Sequence, residues 1–373
     1  MLPIYLLFAS LAGVKAALTY KGVDWSSILV TERAGKTYKT ASGTVQPFET
    51  ILKSSGVNTV RQRLWVNPTN GDYNLDYNIK LARRAKAAGL DVYLNMHFSD
   101  TWADPGNQVC LLSSLLSAKR VVLITPQKIP SGWPSDLSNL SWKLYNYTLD
   151  VSNAFANANI ALSLISIGNE ITPGLLLPTG STKSYSNVAT LLHSASAGIK
   201  DSNLYKSAQI KPKIMIHIDN GWNWNTQKNW YTGVLAAGKL ETSDFDVMGA
   251  SYYPFYSTSA TLSSLTTSLN NMATQWGKEI MVVETDWPVS CPSPGHAFPA
   301  DTQSIPFTVA GQKTWMRDVA NVVKGVKNGL GTGLFYWEPS WIGNANLGSS
   351  CADNLMVDGN GVVRDSLGVF SEL

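Results

Sequence analysis

The sequence predicts an α/β fold in which a single (β/α)8 TIM barrel forms the folded chain. Eight short apolar runs alternate with amphipathic stretches at helical spacing, which is typical of repeated strand-helix units and a parallel sheet. The chain has 373 residues, and about 250 residues already suffice for a barrel of this kind. No Pro/Ser linker, charge block or change in composition divides the sequence, so we predict one domain.

The eight apolar runs are the predicted strands, in chain order. They span 18–24, 58–64, 91–97, 161–168, 213–218, 246–251, 279–284 and 331–337. Helical periodicity between them is clearest over 77–88, 142–158, 262–276 and 309–327. Each helix returns the chain to the start of the next strand, so the carboxyl ends of all eight strands meet at one face of the barrel.

A polar or aromatic residue ends or follows each predicted strand. In chain order these residues are Asp24 with Trp25, Arg61 with Arg63, His97, Asn169 with Glu170, His217 with Asp219, Tyr252 with Tyr253, Glu284, and Trp337 with Glu338. One such residue is often a core group or a helix cap, but eight in the same relative place indicate a cleft. Because active sites of these barrels lie at the carboxyl face, we expect the side chains to converge there.

Two of these residues, Glu170 and Glu284, have the chemistry of a glycosidase pair. Each ends an apolar run, ALSLISIG before Asn169 and IMVV before Glu284, where an unpaired charge is costly. Strands four and seven nearly face each other across the barrel mouth, and two carboxyl groups flanking one bond are what glycoside hydrolysis requires. Asn169 is placed to hydrogen-bond a sugar 2-hydroxyl. The alternative for either glutamate alone is an ion pair with Arg61 or Arg63.

The neighbouring residues favour different protonation states for the two glutamates. We expect Arg61 to keep Glu284 ionised, with Tyr252 or Tyr253 orienting its carboxylate. Partial burial and repulsion from Glu284 would keep Glu170 protonated, as a general acid requires.

Long segments of the chain resemble the fungal arabinogalactan endo-β-1,4-galactanases of glycoside hydrolase family 53. The segments include ALTYKGVDWSS, VRQRLWVNP, HFSDTWADP, ISIGNEITPGLL, SYYPFYS and VVETDWPVSCP, in the family's order and spacing. The resemblance extends from residue 17 almost to the end of the chain. This family belongs to a clan of retaining glycosidases with an Asn-Glu acid/base pair after strand four and a nucleophile at the end of strand seven.

The resemblance implies a role for each matching residue. Glu170 is the expected general acid/base and Glu284 the expected nucleophile of an endo-acting, retaining hydrolase of β-1,4-galactan, the side chain of type I arabinogalactan in pectin. The expected substrate contacts are Arg61, His97, Asn169, Asp219, Trp222, Tyr252, Tyr253 and Trp337, with Trp102, Trp133 and Trp224 as further aromatic platforms. Trp337 is alternatively a core residue. No cofactor or metal is implied, and we expect a monomer that binds its polysaccharide and neither nucleic acid nor membrane.

Other functions are compatible with the same residues. A hydrolase of another β-1,4-glycan, such as mannan or xylan, would use the same mechanism, and residue types do not settle the stereochemistry at the sugar O4. A catalytically silent carbohydrate-binding barrel would keep the cleft without releasing products, although the presence of both glutamates argues against it. A third alternative is a non-functional translation product of an unspliced transcript.

The first 16 residues, MLPIYLLFASLAGVKA, are interpreted as a signal peptide. They contain an apolar run and end in Val14, Lys15 and Ala16, a small-x-small pattern that signal peptidase cleaves. The alternative is a signal anchor. Later stretches lack the apolar length of a membrane span, and the sequons at Asn139 and Asn146 fit N-glycosylation. We therefore predict a secreted, extracellular protein.

Residues 109–127, VCLLSSLLSAKRVVLITPQ, match neither of their flanks. This aliphatic stretch stands between polar, Trp-bearing loop segments, and its 127 − 109 + 1 = 19 codons preserve the reading frame. Its ends can be encoded by splice-site sequences, and the family resemblance continues from Gln108 almost directly into Pro130. We interpret the block as a retained intron in the loop after the third strand. The alternative is a genuine surface insertion, and a transcript sequence across Gln108 and Lys128 separates the two.

Removal of both segments changes the charge and the cysteine count. Losing one lysine from the first segment and Lys119 and Arg120 from the second takes the formal net charge from +3 to 0, so the basic pI does not indicate nucleic acid or anionic membranes as partners. Losing Cys110 leaves Cys291 and Cys351. We expect this even pair to form one disulfide in an oxidising compartment.

Overall fold

The computed structural model of the protein describes residues 17–105 and 128–373. The predicted signal peptide, residues 1–16, and the block at 109–127 with its Cys110 lie outside the described residues, so the predictions made for them stay predictions. Within the described ranges the chain forms one closed barrel whose strands neighbour each other in chain order. This confirms the predicted (β/α)8 TIM barrel.

The strands lie where the apolar runs predict them. They are β1 (Tyr20–Asp24), β2 (Thr59–Leu64), β3 (Asp91–Met96), β4 (Leu164–Ile167), β5 (Lys213–Ile218), β6 (Val247–Ser251), β7 (Glu279–Glu284) and β8 (Gly331–Tyr336). Neighbouring strands pair in parallel, and β1 closes the barrel against β8. Strand β4 is shorter than the predicted run 161–168: it begins at Leu164, and Gly168, with φ of 116°, turns the chain after Ile167.

Nine α-helices lie in the described part of the chain. They are α1 (Ile28–Arg33), α2 (Phe48–Ser54), α3 (Leu75–Ala87), α4 (Leu137–Asn157), α5 (Tyr185–Asp201), α6 (Asn203–Ser207), α7 (Trp224–Ala236), α8 (Leu262–Trp276) and α9 (Val309–Lys324). Helix α4 begins before the predicted start at residue 142 because Asp136 caps it, accepting from the amide of Asn139 at 3.0 Å. None of the helices in the described ranges is long and apolar enough to cross a membrane.

The barrel interior below the mouth is filled with side chains. Tyr93, Met215 and Phe335 belong to a buried cluster there, and the rings of Tyr93 and Phe335 meet edge to face at 5.4 Å. Gly249 leaves room for this packing, since a Cβ at that position would lie 2.5 Å from Sδ of Met215. The polar strand ends therefore stand above a packed floor.

The segments that follow β7 and β8 are joined covalently. Cys291 and Cys351, the pair expected from the cysteine count, form a disulfide across a separation of 60 residues. Next to it, the amide of Val289 donates to the carbonyl of Asp353 at 2.8 Å. The join anchors the loop that carries Leu347 beside the barrel mouth.

Candidate active site

An open cleft of about 660 Å³ lies at the carboxyl mouth of the barrel. Strand ends and the loops after them form its walls. The sequence-predicted residues that line it are Arg61, Arg63, His97, Trp102, Asn169, Glu170, Asp219, Tyr253, Glu284 and Trp337. The fold thus brings Glu170 and Glu284 from two different strands into one cleft.

A tight turn after β4 places Asn169 and Glu170 at the mouth. Gly168 and Glu170 have φ values of 116° and 46°, a region that side-chain-bearing residues rarely adopt. A Cβ on Gly168 would lie 2.6 Å from Cγ2 of Ile171, so the turn is closely packed. The Nδ2 of Asn169 donates to the carbonyl of Ala103 at 2.8 Å. Unusual backbone at Glu170 fits a residue whose position serves a function.

Side chains alternate along β2, so Arg61 and Arg63 both point into the barrel. Arg61 hydrogen-bonds three polar side chains at the barrel mouth. Its Nη1 donates to Oδ2 of Asp24 at 2.5 Å. Its Nη2 donates to Oε1 of Glu284 at 2.6 Å and to Oδ1 of Asn169 at 2.7 Å. Because the guanidinium is planar and its donors point in fixed directions, Arg61 fixes the orientation of Glu284 relative to Asn169.

Alternation at the end of β6 carries one of the two tyrosines to the cleft. Ser251 pairs with Glu284, and two residues on, the hydroxyl of Tyr253 donates to Oε2 of Glu284 at 2.9 Å. Tyr252 points the other way, is fully buried, and donates to the carbonyl of Ala260 at 2.8 Å. The expectation that Tyr252 contacts substrate is therefore corrected, because this ring packs in the core.

Arg63 forms a second buried ion cluster beside the first. Its Nη1 donates to Oε1 of Glu338 at 2.6 Å, and its Nη2 donates to Oγ of Ser27 at 2.7 Å. Burial raises the pKa of Glu338 to about 7 although Arg63 acts in the opposite direction. The guanidinium carbon lies 4.5 Å from the ring centre of Trp102 and 5.3 Å from that of Trp341. These cation–π contacts hold an aromatic wall of the cleft against the ion pair.

The surroundings of Glu170 and Glu284 affect the pKa values of these two carboxyl groups differently. Burial raises the pKa of both. For Glu170 the charges of Glu284 and Asp219 act in the same direction, and its pKa stands well above the ordinary value. For Glu284 the charge of Arg61 and the hydrogen bond from Tyr253 oppose burial, so its pKa is raised less strongly than that of Glu170. The surroundings therefore favour a protonated Glu170 beside an ionised Glu284.

The other predicted contacts divide between the cleft and its rim. His97, Asp219 and Trp337 line the cleft. Trp222 is outside the lining, but its indole donates to Oδ1 of Asn220 at 3.2 Å, and Asn220 is a lining residue. Trp222 thus lies at the rim.

Only part of the predicted aromatic platform faces the cleft. Trp102 is a lining residue, whereas Trp133 packs against Tyr147 and Trp224 against Trp276. Neither Trp133 nor Trp224 is among the residues that line the cleft.

Several lining residues were missed by the sequence reasoning. Ser251 follows from the same alternation that selects Tyr253, so the strand pattern contained it. Tyr256 and Trp341 lie in loops, where no periodicity reveals which side chain faces the mouth. The complete set of missed residues is Pro105, Asp104, Asn220, Ser251, Tyr256, Trp341, Asn344, Leu347 and Gly348.

The cleft combines carboxyl groups, amides and aromatic rings, which is typical of a sugar-binding site. Among the residues that the structure describes, no group of three or more His, Cys, Asp or Glu side chains is arranged to hold a metal ion.

Known proteins match the chain over almost its whole length. The family model described as Glycosyl hydrolase family 53 matches residues 20–110 and 125–370. An arabinogalactan endo-β-1,4-galactanase from Thermothelomyces thermophilus is 59% identical over 357 residues, which cover 96% of this chain and 100% of the relative. A second one, from Humicola insolens, is 58% identical with the same coverage. A solved structure from a study of two fungal β-1,4-galactanases has a TM-score of 0.88 and 59% identity, covering 96% of this chain and 100% of the other.

Proposed function

Because the chain belongs to glycosyl hydrolase family 53, we propose that it is a secreted endo-β-1,4-galactanase that cleaves the galactan side chains of type I arabinogalactan in pectin. The observation that carries this proposal is the pair of carboxyl groups at the mouth of the barrel. Arg61 and Tyr253 both donate hydrogen bonds to Glu284, and Glu170 lines the same cleft. The activity named for the relatives from T. thermophilus and H. insolens supports the choice of substrate.

The first step forms a covalent intermediate. Glu170 gives its proton to the glycosidic oxygen as the bond from that oxygen to the anomeric carbon breaks. The carboxylate of Glu284 attacks the anomeric carbon from the opposite face and forms an ester bond. Arg61 and Tyr253 keep this carboxylate ionised and aimed before the attack. The leaving chain departs with the proton that Glu170 supplied.

The second step releases the sugar. Glu170, now a carboxylate, takes a proton from a water molecule, and the water oxygen bonds to the anomeric carbon. The ester bond to Glu284 breaks, which returns both side chains to their starting states. Two inversions at the same carbon retain its configuration, so the newly formed reducing end is a β anomer.

The remaining lining residues are proposed to hold the chain of sugars. Asn169, fixed by Arg61 at 2.7 Å, is placed for the 2-hydroxyl of the cleaved unit. His97 and Asp219 supply further polar contacts, while Trp337 offers an apolar face for galactose. Trp222 at the rim is assigned to sugars farther from the cleaved bond.

Secretion is part of the proposal and is supported by independent features. The disulfide between Cys291 and Cys351 fits an oxidising compartment. The sequon residues Asn139 and Asn146 both lie on helix α4, where Asn139 is exposed and Asn146 is half-buried. Together with the signal-like residues 1–16, these features favour an extracellular glycoprotein.

A polysaccharide panel tests the proposed substrate. Protein lacking residues 109–127 would be incubated with linear β-1,4-galactan, β-1,4-mannan and xylan, and new reducing ends would be measured. We expect rapid release of short oligosaccharides from galactan, because an endo-acting enzyme cuts inside the chain, and loss of this release in Glu284→Gln. Preferential cleavage of mannan or xylan would replace the substrate assignment. Galactan binding without any product would favour the carbohydrate-binding alternative.

A further inference from the structure

Glu338 is a buried carboxyl group at the barrel mouth that the proposed reaction does not use. It follows Trp337 after β8, is fully buried, and has φ of 45°, a region that side-chain-bearing residues rarely adopt. Its Oε1 accepts from Nη1 of Arg63 at 2.6 Å and from the hydroxyl and amide of Ser27 at 2.7 and 3.0 Å. Unusual backbone and three donors on one oxygen indicate that the position of this side chain is closely defined.

Glu338 is the close counterion of Arg63. The hydroxyl of Ser27 accepts from Nη2 of Arg63 at 2.7 Å while it donates to Glu338, so three side chains join the neighbouring ends of β8, β1 and β2. Asp24 is farther away, since its Oδ1 lies 3.9 Å from Nη1 of Arg63. That oxygen also accepts from the hydroxyl of Ser26 at 2.6 Å.

The guanidinium of Arg63 lies beside rings that line the cleft. Its carbon is 4.2 Å from the ring centre of Tyr73, 4.5 Å from that of Trp102 and 5.3 Å from that of Trp341. Trp102 stacks with Trp341 at 6.1 Å and meets Trp337 at 6.2 Å. These three tryptophans line the cleft and are called the tryptophan wall below. Because they come from the loops after β3 and β8, Arg63 contacts a ring from each loop.

Glu338 accounts for the place of the Arg63 charge. Removing one partner of a buried ion pair leaves an uncompensated charge, which is costly. Without Glu338 the guanidinium has no close counterion, so we expect it to leave its place beside Trp102 and Trp341. Sugar binding would then have to order these two rings, at a cost in affinity.

We propose that Glu338 is a positioning residue for sugar binding: by holding the guanidinium of Arg63 beside Trp102 and Trp341, it keeps the tryptophan wall in the orientation that stacks on galactose units. This inference rests on the proposed function, in which the cleft binds a galactan chain. Sugar rings stack on aromatic faces only where those faces are presented to the cleft, so the ion pair contributes to affinity without touching the sugar.

This role is separate from the chemical step. Glu284 accepts from Arg61 and Tyr253, whereas Glu338 accepts from Arg63 and Ser27. An interaction that is equally strong with the bound substrate and with the transition state changes KM and leaves kcat in place. A defect in the tryptophan wall is therefore expected in KM.

Glu338→Gln keeps the shape of the side chain and removes its charge. Kinetics are measured above the pKa of Glu338, which burial raises to about 7, so that the unsubstituted side chain is ionised. We expect KM on galactan to rise about 10-fold, the scale of ordering two side chains on binding, with little change in kcat. Glu338→Asp keeps the charge and is expected to keep KM closer to normal.

A double variant covers the case in which Glu338→Gln fails to fold. Arg63→Met together with Glu338→Gln removes both charges, and replacing a buried ion pair by uncharged side chains is often tolerated. It also removes the guanidinium beside the rings, so we expect a rise in KM similar to that of the single variant.

Arg63→Lys separates contact with the rings from the charge pair. Lysine keeps a positive charge opposite Glu338 but lacks the planar group that stacks on aromatic rings. We expect KM to rise as in Glu338→Gln, with a smaller loss in the free energy of unfolding. A normal KM in Arg63→Lys would show that the pair acts only as a structural ion pair and would overturn the proposal.

Glu49→Gln is the matched control. Glu49 also pairs with a partly buried arginine, Arg84, at 2.6 Å, and the guanidinium carbon of Arg84 lies 5.9 Å from the ring centre of Trp25. This pair is outside the cleft lining. We expect the control to lose stability and to keep KM and kcat. An unchanged KM in Glu338→Gln or in the double variant, a fall in kcat alone, or an equal rise of KM in the control overturns the proposal.

A measurement without substrate separates this inference from the proposed function. Protein labelled with 5-fluorotryptophan is studied by ¹⁹F NMR at the same pH, and the signals of Trp102 and Trp341 are assigned by their loss in Trp102→Phe and Trp341→Phe. We expect both signals to shift and broaden in Glu338→Gln and to stay in place in Glu49→Gln. Such a shift supports the positioning of the tryptophan wall even if the cleft takes a sugar other than galactose. Unmoved signals in Glu338→Gln contradict it.

Discussion

Arg61 is the residue that holds Glu284, the proposed nucleophile. Its side chain is buried and donates to Asp24, Asn169 and Glu284 within 2.7 Å. Its charge opposes the effect of burial on the pKa of Glu284. A lysine in its place would keep the charge but would concentrate it on one nitrogen. That nitrogen cannot donate hydrogen bonds to three acceptors that lie around a planar guanidinium.

We therefore expect Arg61→Lys to lower kcat/KM on galactan by about 100-fold, the scale of losing one precisely aimed donor in an active site. The acidic limb of the pH profile should move upward, because weaker stabilisation raises the pKa of Glu284 and the nucleophile must be ionised. Arg84→Lys is the control, since Arg84 also pairs with two carboxylates, Glu32 and Glu49, but in the outer layer. An acidic limb that stays in place in Arg61→Lys would contradict this account of the nucleophile.

Tyr252 and Tyr253 provide a matched pair of neighbouring hydroxyl groups. Tyr253→Phe removes the hydrogen bond to Glu284, and we expect about a 10-fold loss of kcat/KM because bonds to charged groups are strong. Tyr252→Phe removes a bond to the carbonyl of Ala260 in the core, and we expect a loss of about 1 kcal/mol in the free energy of unfolding with little change in kcat/KM. Steady-state kinetics and urea unfolding of both variants measure the difference. The reverse assignment of effects would show that Tyr252 faces the substrate.

The same pair shows what the sequence can and cannot determine at this scale. Glu170 and Glu284 were predictable because each ends an apolar strand at the face where barrels place their sites. The choice between Tyr252 and Tyr253 was not, because β6 ends at Ser251. Beyond the end of a strand the sequence does not show whether the alternation of side chains continues.

At the scale of elements, the turn after β4 sets the position of Glu170, the proposed acid/base residue. Gly168 has φ of 116°, and a Cβ there would lie 2.6 Å from Ile171. Gly168→Ala is therefore expected to lower the free energy of unfolding by about 2 kcal/mol. It should also lower kcat by displacing Asn169 and Glu170.

Gly238→Ala is the control for backbone strain alone. Gly238 follows helix α7 with φ of 65°, and a Cβ there meets no atom within 4 Å. We expect a loss of about 1 kcal/mol in the free energy of unfolding and normal kinetics on galactan. If Gly168→Ala loses stability but keeps normal kcat, the turn does not control the position of Glu170.

The strands were predictable as elements and the loops were not. Strand positions follow from apolar runs buried on both faces, and β5 and β7 have the predicted bounds. The start of α4 depended on the cap at Asp136, six residues before the clear periodicity that begins at Trp142. Trp341 and Leu347 reach the cleft from the loop after β8, where side-chain direction follows from tertiary packing instead of a local repeat.

At the scale of the whole molecule, the described residues on either side of the block at 109–127 have defined surroundings. Pro105 lines the cleft, and the amide of Ile129 donates to the carbonyl of Leu177 at 3.3 Å. The two matched ranges of the family model leave residues 111–124 between them. The block therefore contains residues that are additional to the family model, as both a retained intron and a genuine surface insertion would be.

We predict that protein without residues 109–127 is secreted at a higher level and has higher galactanase activity than the full chain. The full chain would place an aliphatic loop and the unpaired Cys110 at the rim of the cleft, which favours aggregation, mispaired cysteines or a blocked cleft. Secreted yield, specific activity and non-reducing gel mobility of both forms measure this. Comparable secretion and activity would favour a genuine surface insertion.

We propose that Glu284 attacks the sugar while Glu170 supplies and then recovers a proton. Proton NMR of linear β-1,4-galactan during the first minutes of hydrolysis, before mutarotation mixes the anomers, distinguishes this mechanism from direct attack by water. We expect the new reducing ends to appear first as the β anomer, since double displacement retains configuration. If the α anomer appears first, a water molecule attacks the sugar directly, and Glu284 is not a nucleophile.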